Sequence, residues 1–318
     1  DAVFHPINGN IIAAVNHEIW EIDRKDGHTI RVFEGGIYGR EIKEIRITND
    51  GNLIVANVWG ASGIVIWNYE TGSIWKTLKL YGQDLGILPN NKEIIFYYPD
   101  GEQICRYDIY NEVKKDSQII KGLNGNAYVD VMRLSKDGKY LAIGKAEAIG
   151  GGHWKYSMEL WDAETLTPIK GFGSPGDNVH EFTDVQISND DQYFAFATDF
   201  NFFIYKFSGE LVFTTTFPIY LHESQFTNDS KMILIRPFNS VTKRKAFTYF
   251  FNLTIMDSVY KYNESYGTFR FNSNNELFVQ GYDSLIGVKI QLFSNHWYTV
   301  GVNESAGTTF KIEQVNYT

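Results

Sequence analysis

The stretch MRLSKDGKYLAIG at 132–144, followed by MELWDAETLTPIKGF at 158–172, decides the fold. Its first half is two runs of alternating apolar residues joined by Asp137-Gly138. An Asp-Gly pair accepts the positive φ that a tight hairpin between two twisted strands demands. Its second half is a run ending on Trp161-Asp162, a polar turn, and a further short run. Four short strands and three turns account for every residue, and no 3.6-residue apolar stripe of helical length competes with them.

The phrase recurs along the chain. It reads VFHPINGNII at 3–12, IRITNDGNLIVA at 45–56, LGILPNNKEIIFY at 85–97, VQISNDDQYFAFA at 185–197, SQFTNDSKMILI at 224–235 and FRFNSNNELFVQ at 269–280. The aligned turn residues are Asn8, Asp50, Asn91, Asp137, Asp190, Asp229 and Asn274, separated by 42, 41, 46, 53, 39 and 45 residues. Where glycine is missing, Asn-Asn, Asp-Asp and Asp-Ser take the turn, although they accept left-handed geometry less readily. The second half recurs with Trp20, Trp67, Tyr107, Trp161, Tyr205, Phe251 and Ile290 before a polar turn or a further strand. Four strands repeated every 40–50 residues is the signature of a propeller blade. The expectation is therefore an all-β, seven-bladed β-propeller of four-stranded antiparallel blades. The blades fall at about 1–36, 41–82, 84–122, 128–173, 181–218, 221–263 and 265–301.

These residues resemble the WD-repeat family, in a divergent form of bacterial type, over residues 3–301. The resemblance is carried best by 132–172, with its Trp161-Asp162, and by 45–80, where TNDGNLIVA precedes IVIWNYETG. The Gly-His pair usual before the first strand of that family is absent. Only Thr198, Asp199 and His180 could match its structural hydrogen-bond network. The resemblance implies that the loops between second and third strands, together with those joining successive blades, form the face used for binding.

Composition narrows the function classes. The 318 residues are 43% hydrophobic and 16% aromatic, which excludes a disordered chain. A net charge of −9 argues against a nucleic-acid surface, which is built from clustered Lys and Arg. The one basic cluster, Lys243-Arg244-Lys245, reads as a solvated loop tip. No apolar run is long enough to span a membrane, and the single Cys105 cannot form an internal disulfide. The fold must therefore stand on its core, expected between blades and including Ile45, Ile47, Leu53, Val55, Ile64, Ile66, Leu134, Leu141, Ile143, Val185, Ile187, Phe194 and Phe196.

The chain begins at Asp1 without a leader pattern, so a signal peptide is expected to be absent or removed. Sequons stand at Asn228, Asn252, Asn263, Asn303 and Asn316, and matter only in a glycosylating host. Residues 302–318 are expected either to pair with an outer edge where the ring closes or to start a linker to a further domain.

Length variation marks the working face. Asp137 lies 24 residues before Trp161, whereas Asn8 lies 12 before Trp20. The excess, KAEAIGGGHWKYS, is expected to form a flexible loop, and further insertions are VWGASG in the second unit and RPFNSVTKRKAF in the sixth. Function collects in loops that grow while their scaffold stays regular. Candidate binding residues are Trp59, Tyr81, Tyr128, His153, Trp154, His180, Tyr220, His222 and Tyr266.

No chemistry-specific motif accompanies them. The triple glycine at 150–152 lacks the Lys-Ser/Thr of a phosphate loop. The seven histidines show no zinc spacing, and no calcium loop or Gly-x-Ser-x-Gly occurs. No cofactor, metal or catalytic residue is expected, although Glu147, Glu181 and Glu223 lie near the working face. The first expectation is a non-catalytic scaffold presenting a loop-rich face to a protein partner or to copies of itself. The alternatives are a secreted propeller that binds or cleaves glycans, and a hydrolytic or cofactor-dependent propeller enzyme. Carboxylates gathered at the central funnel would favour the enzyme. The expected location is extracellular or cell-surface, with cytoplasm as the alternative.

Overall fold

The computed structural model describes the backbone of residues 1–318 except 16, 25–26, 35–40, 59–62, 81, 121–126, 151–152, 173–180, 218–219, 239–247, 254–256, 263–267, 272–276, 281–284, 294–295, 303–312 and 315–318. Side chains are described as far as Leu253, apart from residues 149–150, 222, 237–238, 248 and 250.

Strands form consecutive antiparallel sheets. The first sheet holds β1 (Ala2–Phe4), β2 (Ile11–Val15), β3 (Glu18–Ile22) and β4 (Thr29–Val32). The second holds β5 (Ile42–Ile47), β6 (Leu53–Val58), β7 (Gly63–Asn68) and β8 (Ile74–Leu78). The third holds β9 (Gln83–Ile87), β10 (Glu93–Tyr98), β11 (Gln103–Asp108) and β12 (Val113–Ile119). The fourth holds β13 (Ala127–Leu134), β14 (Tyr140–Gly150), β15 (His153–Asp162) and β16 (Thr167–Gly171). The fifth holds β17 (Phe182–Ile187), β18 (Tyr193–Thr198), β19 (Asn201–Lys206) and β20 (Leu211–Thr216). The sixth holds β21 (Tyr220–Phe226), β22 (Met232–Phe238), β23 (Thr248–Asn252) and β24 (Asp257–Tyr262). The last holds β25 (Thr268–Phe271), β26 (Leu277–Gln280), β27 (Leu285–Phe293), β28 (His296–Val302) and β29 (Glu313–Gln314).

Strands β1, β5, β9, β13, β17, β21 and β25 touch in sequence, and β25 returns to β1. A cyclic order of first strands, each the inner edge of its own sheet, is a β-propeller. The expectation of seven four-stranded blades is corrected here: six sheets have four strands, and the last has five. The added strand is β29, which pairs with the outer side of β28 through Tyr298↔Gln314 and Thr299↔Glu313. Every sheet uses strands consecutive in the chain, so the first and last share no strand. At their junction β1 lies against β25.

The turn chemistry explains the regularity. The side-chain oxygens of Asp50, Asn90, Asp137, Asp190 and Asp229 each accept the backbone N–H two residues on. Thr48, Ser135, Ser188 and Thr227, two residues earlier, receive the N–H that closes the hairpin. Asn90 therefore occupies the position first aligned to Asn91. Asn91 follows with φ +57°, where other turns carry Gly51 or Gly138. At Gly138, with φ +75°, a Cβ would stand 2.3 Å from the Pro89 ring, so glycine is required twice over. Asp191 and Ser230 accept the same left-handed geometry at φ +54° and +56°.

The core lies between blades. One cluster joins Ile12, Ile19 and Phe33 of the first sheet to Ile45, Ile54 and Trp67 of the second. The next joins Val55 and Ile66 to Ile94 and Phe96. Others pair the third and fourth sheets, the fourth and fifth, and the fifth and sixth. Of the thirteen expected core residues, all are buried except Ile47 and Leu134, which are partly buried against the same clusters. Exposed apolar side chains gather instead on the outer strands, at Ile30, Ile74, Val113, Ile169 and Leu211, where only one neighbouring strand exists.

Candidate functional site

Two constellations stand out, one around the axis and one on the working face. The axial one is built from the innermost strands. Asp1 Oδ2 accepts the Ile45 N–H at 3.0 Å, and Glu44 Oε2 accepts that of Leu85 at 2.7 Å. Asp130 Oδ2 accepts that of Phe182 at 3.2 Å, and Asp184 Oδ2 accepts that of Ser224 at 2.6 Å. Each carboxylate thus bonds the inner strand of the next blade. The pairing of β5, β9, β13, β17 and β21 with their partners breaks register at this level. A bulge re-aims a side chain out of the sheet, and here it turns the acid sideways toward its neighbour. Asp130 sits in the bulge itself, between Val129 and Val131.

Basic residues share the ring. Arg46 bonds Glu44 and lies 3.3 Å from Asp1, while Arg133 lies 3.9 Å from Asp184. Asp84 is the exception in this series, because its carboxyl takes no hydrogen bond from the described residues. Burial and the neighbouring Glu44 carboxylate push its pKa up to about 8, against the opposing pull of Arg133 and Arg46. Burial likewise raises Asp184, despite Arg133 and Ser224.

Asp84 links stability to pH. Its folded pKa lies above the unfolded value, so its contribution to stability is complete below about pH 4 and is lost as pH rises through about 8. Asp84 has φ +53°, a conformation that Asn also tolerates. Asp84→Asn is therefore expected to raise the melting temperature at pH 9 and to flatten its decline between pH 6 and 9. The gain at pH 9 should be about 1–3 kcal/mol after allowance for solvent screening. Melting curves that keep the wild-type pH slope would show that Asp84 is not the group responsible.

On the working face, β14 and β15 run for 11 and 10 residues, while β6, β7, β10, β11, β18 and β19 run for six. The insertion expected as a loop is thus mostly a continued hairpin, because KAEAI and HWKYS can pair residue for residue from Lys145↔Ser157 to Ala148↔Trp154. Only residues 151 and 152 at its glycine tip lie outside the described residues.

Cross-strand pairing puts Tyr128, Ala146 and Tyr156 in one row, with Trp154 beyond them on the same face. That face looks toward the fifth blade, since Tyr156 packs edge-on to Phe182 at 6.1 Å. Tyr128 and Trp154 meet edge-on at 5.1 Å, and Trp154 stays 43% exposed. His153, also exposed, projects from the opposite face with Lys155. Tyr220 is exposed on the sixth blade, with its ring 4.7 Å from Phe200.

The structure therefore brings together Tyr128 and Trp154 among the expected binding residues, and places His153 and Tyr220 apart from that pair. Trp59, Tyr81, His180 and Tyr266 lie outside the described residues, as does the side chain of His222 in β21. Of the three acids near this face, Glu181 is exposed beside Tyr128, Glu147 is buried on the far side of the hairpin, and Glu223 faces Arg236 at 3.2 Å. They do not converge. Thr198 is buried and receives the Asn201 N–H, capping the turn between β18 and β19. Among the described residues, no group of three His, Cys, Asp or Glu side chains could hold a metal ion, and no helix is long and apolar enough to cross a membrane.

No protein-family model matches the chain, and no curated protein matches it. Among solved structures it is similar to a chain in the crystal structure of the mitotic checkpoint complex. The TM-score is 0.68, over 89% of this chain and 84% of that one, at 12% sequence identity. This similarity is to a shared fold. In all, 1196 solved chains match, so the likeness marks a widespread architecture and leaves the function to the site.

Sequence reasoning named Glu223 near the working face but missed the other axial acids, although their signal was present. Asp1, Glu44, Asp84, Asp184 and Glu223 each stand four residues before His5, Thr48, Leu88, Ser188 and Thr227, the residues that open the hairpin turns.

Proposed function

We propose that this chain is a non-catalytic, divergent WD-repeat-type propeller that presents the face bearing the β14–β15 hairpin to a protein partner. The observation that carries this is the hairpin itself, which outgrows its neighbours and holds Trp154 exposed against Tyr128. A large aromatic held out from a rigid scaffold costs little entropy to dock, which is why Trp and Tyr anchor interfaces. WD-repeat kinship is supported by Trp161-Asp162. Asp162 Oδ1 accepts the N–H groups of Glu164 and Thr165, and so fixes the turn after the third strand. An extracellular or cell-surface location goes with the proposal. The one cysteine, Cys105, is buried and its thiol is held protonated by burial, so it suits an oxidising milieu.

The test is a photo-crosslinking residue at position 154, with position 169 on an outer strand as control. A discrete adduct from position 154, absent from position 169, is the expected outcome. Equal labelling from both positions would refute a dedicated face.

A second reading rests on Asp84, whose raised pKa beside Glu44 is what a general acid or base requires. Against it, Asp1, Glu44, Asp184 and Glu223 are spent on backbone N–H groups or arginine. Asp84→Asn would abolish a catalytic activity, whereas a scaffold keeps its partner.

A further inference from the structure

We propose that the hairpin face recognises a cationic side chain, arginine above lysine, carried by the protein partner. This deepens the interaction reading above and rests on it. β14 and β15 outrun the strands of the fifth blade, and among the described residues no sheet packs on the outer part of this face, where Trp154 is left 43% exposed. Tyr128, Tyr156 and Trp154 supply π-faces there.

Three acids act on these rings, of which Asp130 has its pKa raised by burial to about 7 and so carries only part of its charge near neutral pH. Asp130 and Glu181 act on Tyr128, and Asp130, Glu181 and Asp199 act on Tyr156, all raising the phenol pKa values together with burial. Asp130 is held by the Phe182 N–H through Oδ2, while its buried Oδ1 has no hydrogen-bond partner. The cations of the hairpin point the other way: Lys145 is bonded to Glu159, and Lys155 pairs across the strand with Glu147. An aromatic shelf in a negative field, with its own cations turned away, is complementary to a guanidinium. That group can stack on the indole while its N–H donors meet carboxylates. A net charge of −9 adds long-range attraction for a basic partner.

The probe is the peptide acetyl-Gly-Arg-Gly-amide, titrated into the full chain while the Trp154 indole N–H is followed by NMR and assigned by its loss in Trp154→Phe. A saturable shift is expected. It should weaken by about five- to tenfold with citrulline in place of arginine, the neutral isostere. Glu181→Gln, an exposed change that leaves the Phe182 contact of Asp130 intact, should weaken it by about two- to fivefold. Asp130→Asn is a second variant, read only if its melting temperature matches wild type. Citrulline binding as tightly as arginine, or a Trp154 signal that no arginine peptide moves, overturns the cation assignment. A successful crosslink from position 154 alongside either result would leave the docking face standing, whereas failure of the crosslink itself would remove that face.

Discussion

Phe194→Ala is expected to lower stability by about 3–5 kcal/mol, the range for emptying a buried aromatic site. Phe194 is wholly inaccessible to solvent, and four rings converge on it. Phe172, after the outer strand of the fourth blade, lies 4.5 Å away. Phe196, Tyr205 and Phe207 of the fifth blade lie at 5.3, 5.6 and 5.8 Å, with Tyr205 stacked at 10°. The side chain is therefore shared between two sheets. Its neighbours belong to separate rigid strands and cannot collapse into the vacancy together, so the cavity term remains. Urea titration should show the loss as a lowered midpoint. Ile169→Ala, on the exposed outer strand β16, should change stability by under about 0.5 kcal/mol. Equal effects from the two would contradict a core seated between blades.

Asp184→Ala is expected to cost about 3–5 kcal/mol, for a different reason. Asp184 is buried, and its Oδ2 takes both the backbone N–H and the hydroxyl of Ser224 from the next blade, at 2.6 and 2.8 Å. Gln186 donates to both its oxygens, and Arg133 approaches from the preceding blade. Alanine leaves the buried N–H and hydroxyl of Ser224 without this acceptor. Asp184→Asn keeps the shape and one acceptor oxygen, and burial already disfavours the charge, so it should cost about 1–2 kcal/mol. Thermal melts in the order wild type, Asn, Ala are the expected result. An alanine variant as stable as the asparagine one would mean that the carboxylate does not tie the fifth blade to the sixth.

Most of the architecture could be read in the chain. Asp137-Gly138 and its counterparts marked the hairpins because a positive φ is a demand on one residue. The core residues of β6 and β18 stood out because a short apolar run bounded by turn residues is a property of neighbours in sequence. The error at Asn91 shows the edge of such reasoning: Pro-Asn-Asn offers two turn residues, and only the N–H groups of Lys92 and Glu93 reaching Asn90 decide between them. The insertion around Trp154 was legible as extra length but not as strand, because whether KAEAI pairs with HWKYS depends on the hairpin register. The axial acids kept a regular spacing, but nothing local distinguishes Asp184 from a solvated surface residue.

What the amino-acid order settled by itself was the unit: four short strands, their turns, and the apolar faces that must be covered by the next sheet. These follow from interactions spanning a few residues. Only the tertiary structure decided that Glu44 bonds Leu85 and Asp184 bonds Ser224, some 40 residues away, that a fifth strand joins the last sheet, and that Trp154, Tyr128 and Glu181 share one surface. Such neighbours are made by closing the ring, which places side chains from separate blades within ångströms of one another whatever their distance along the chain.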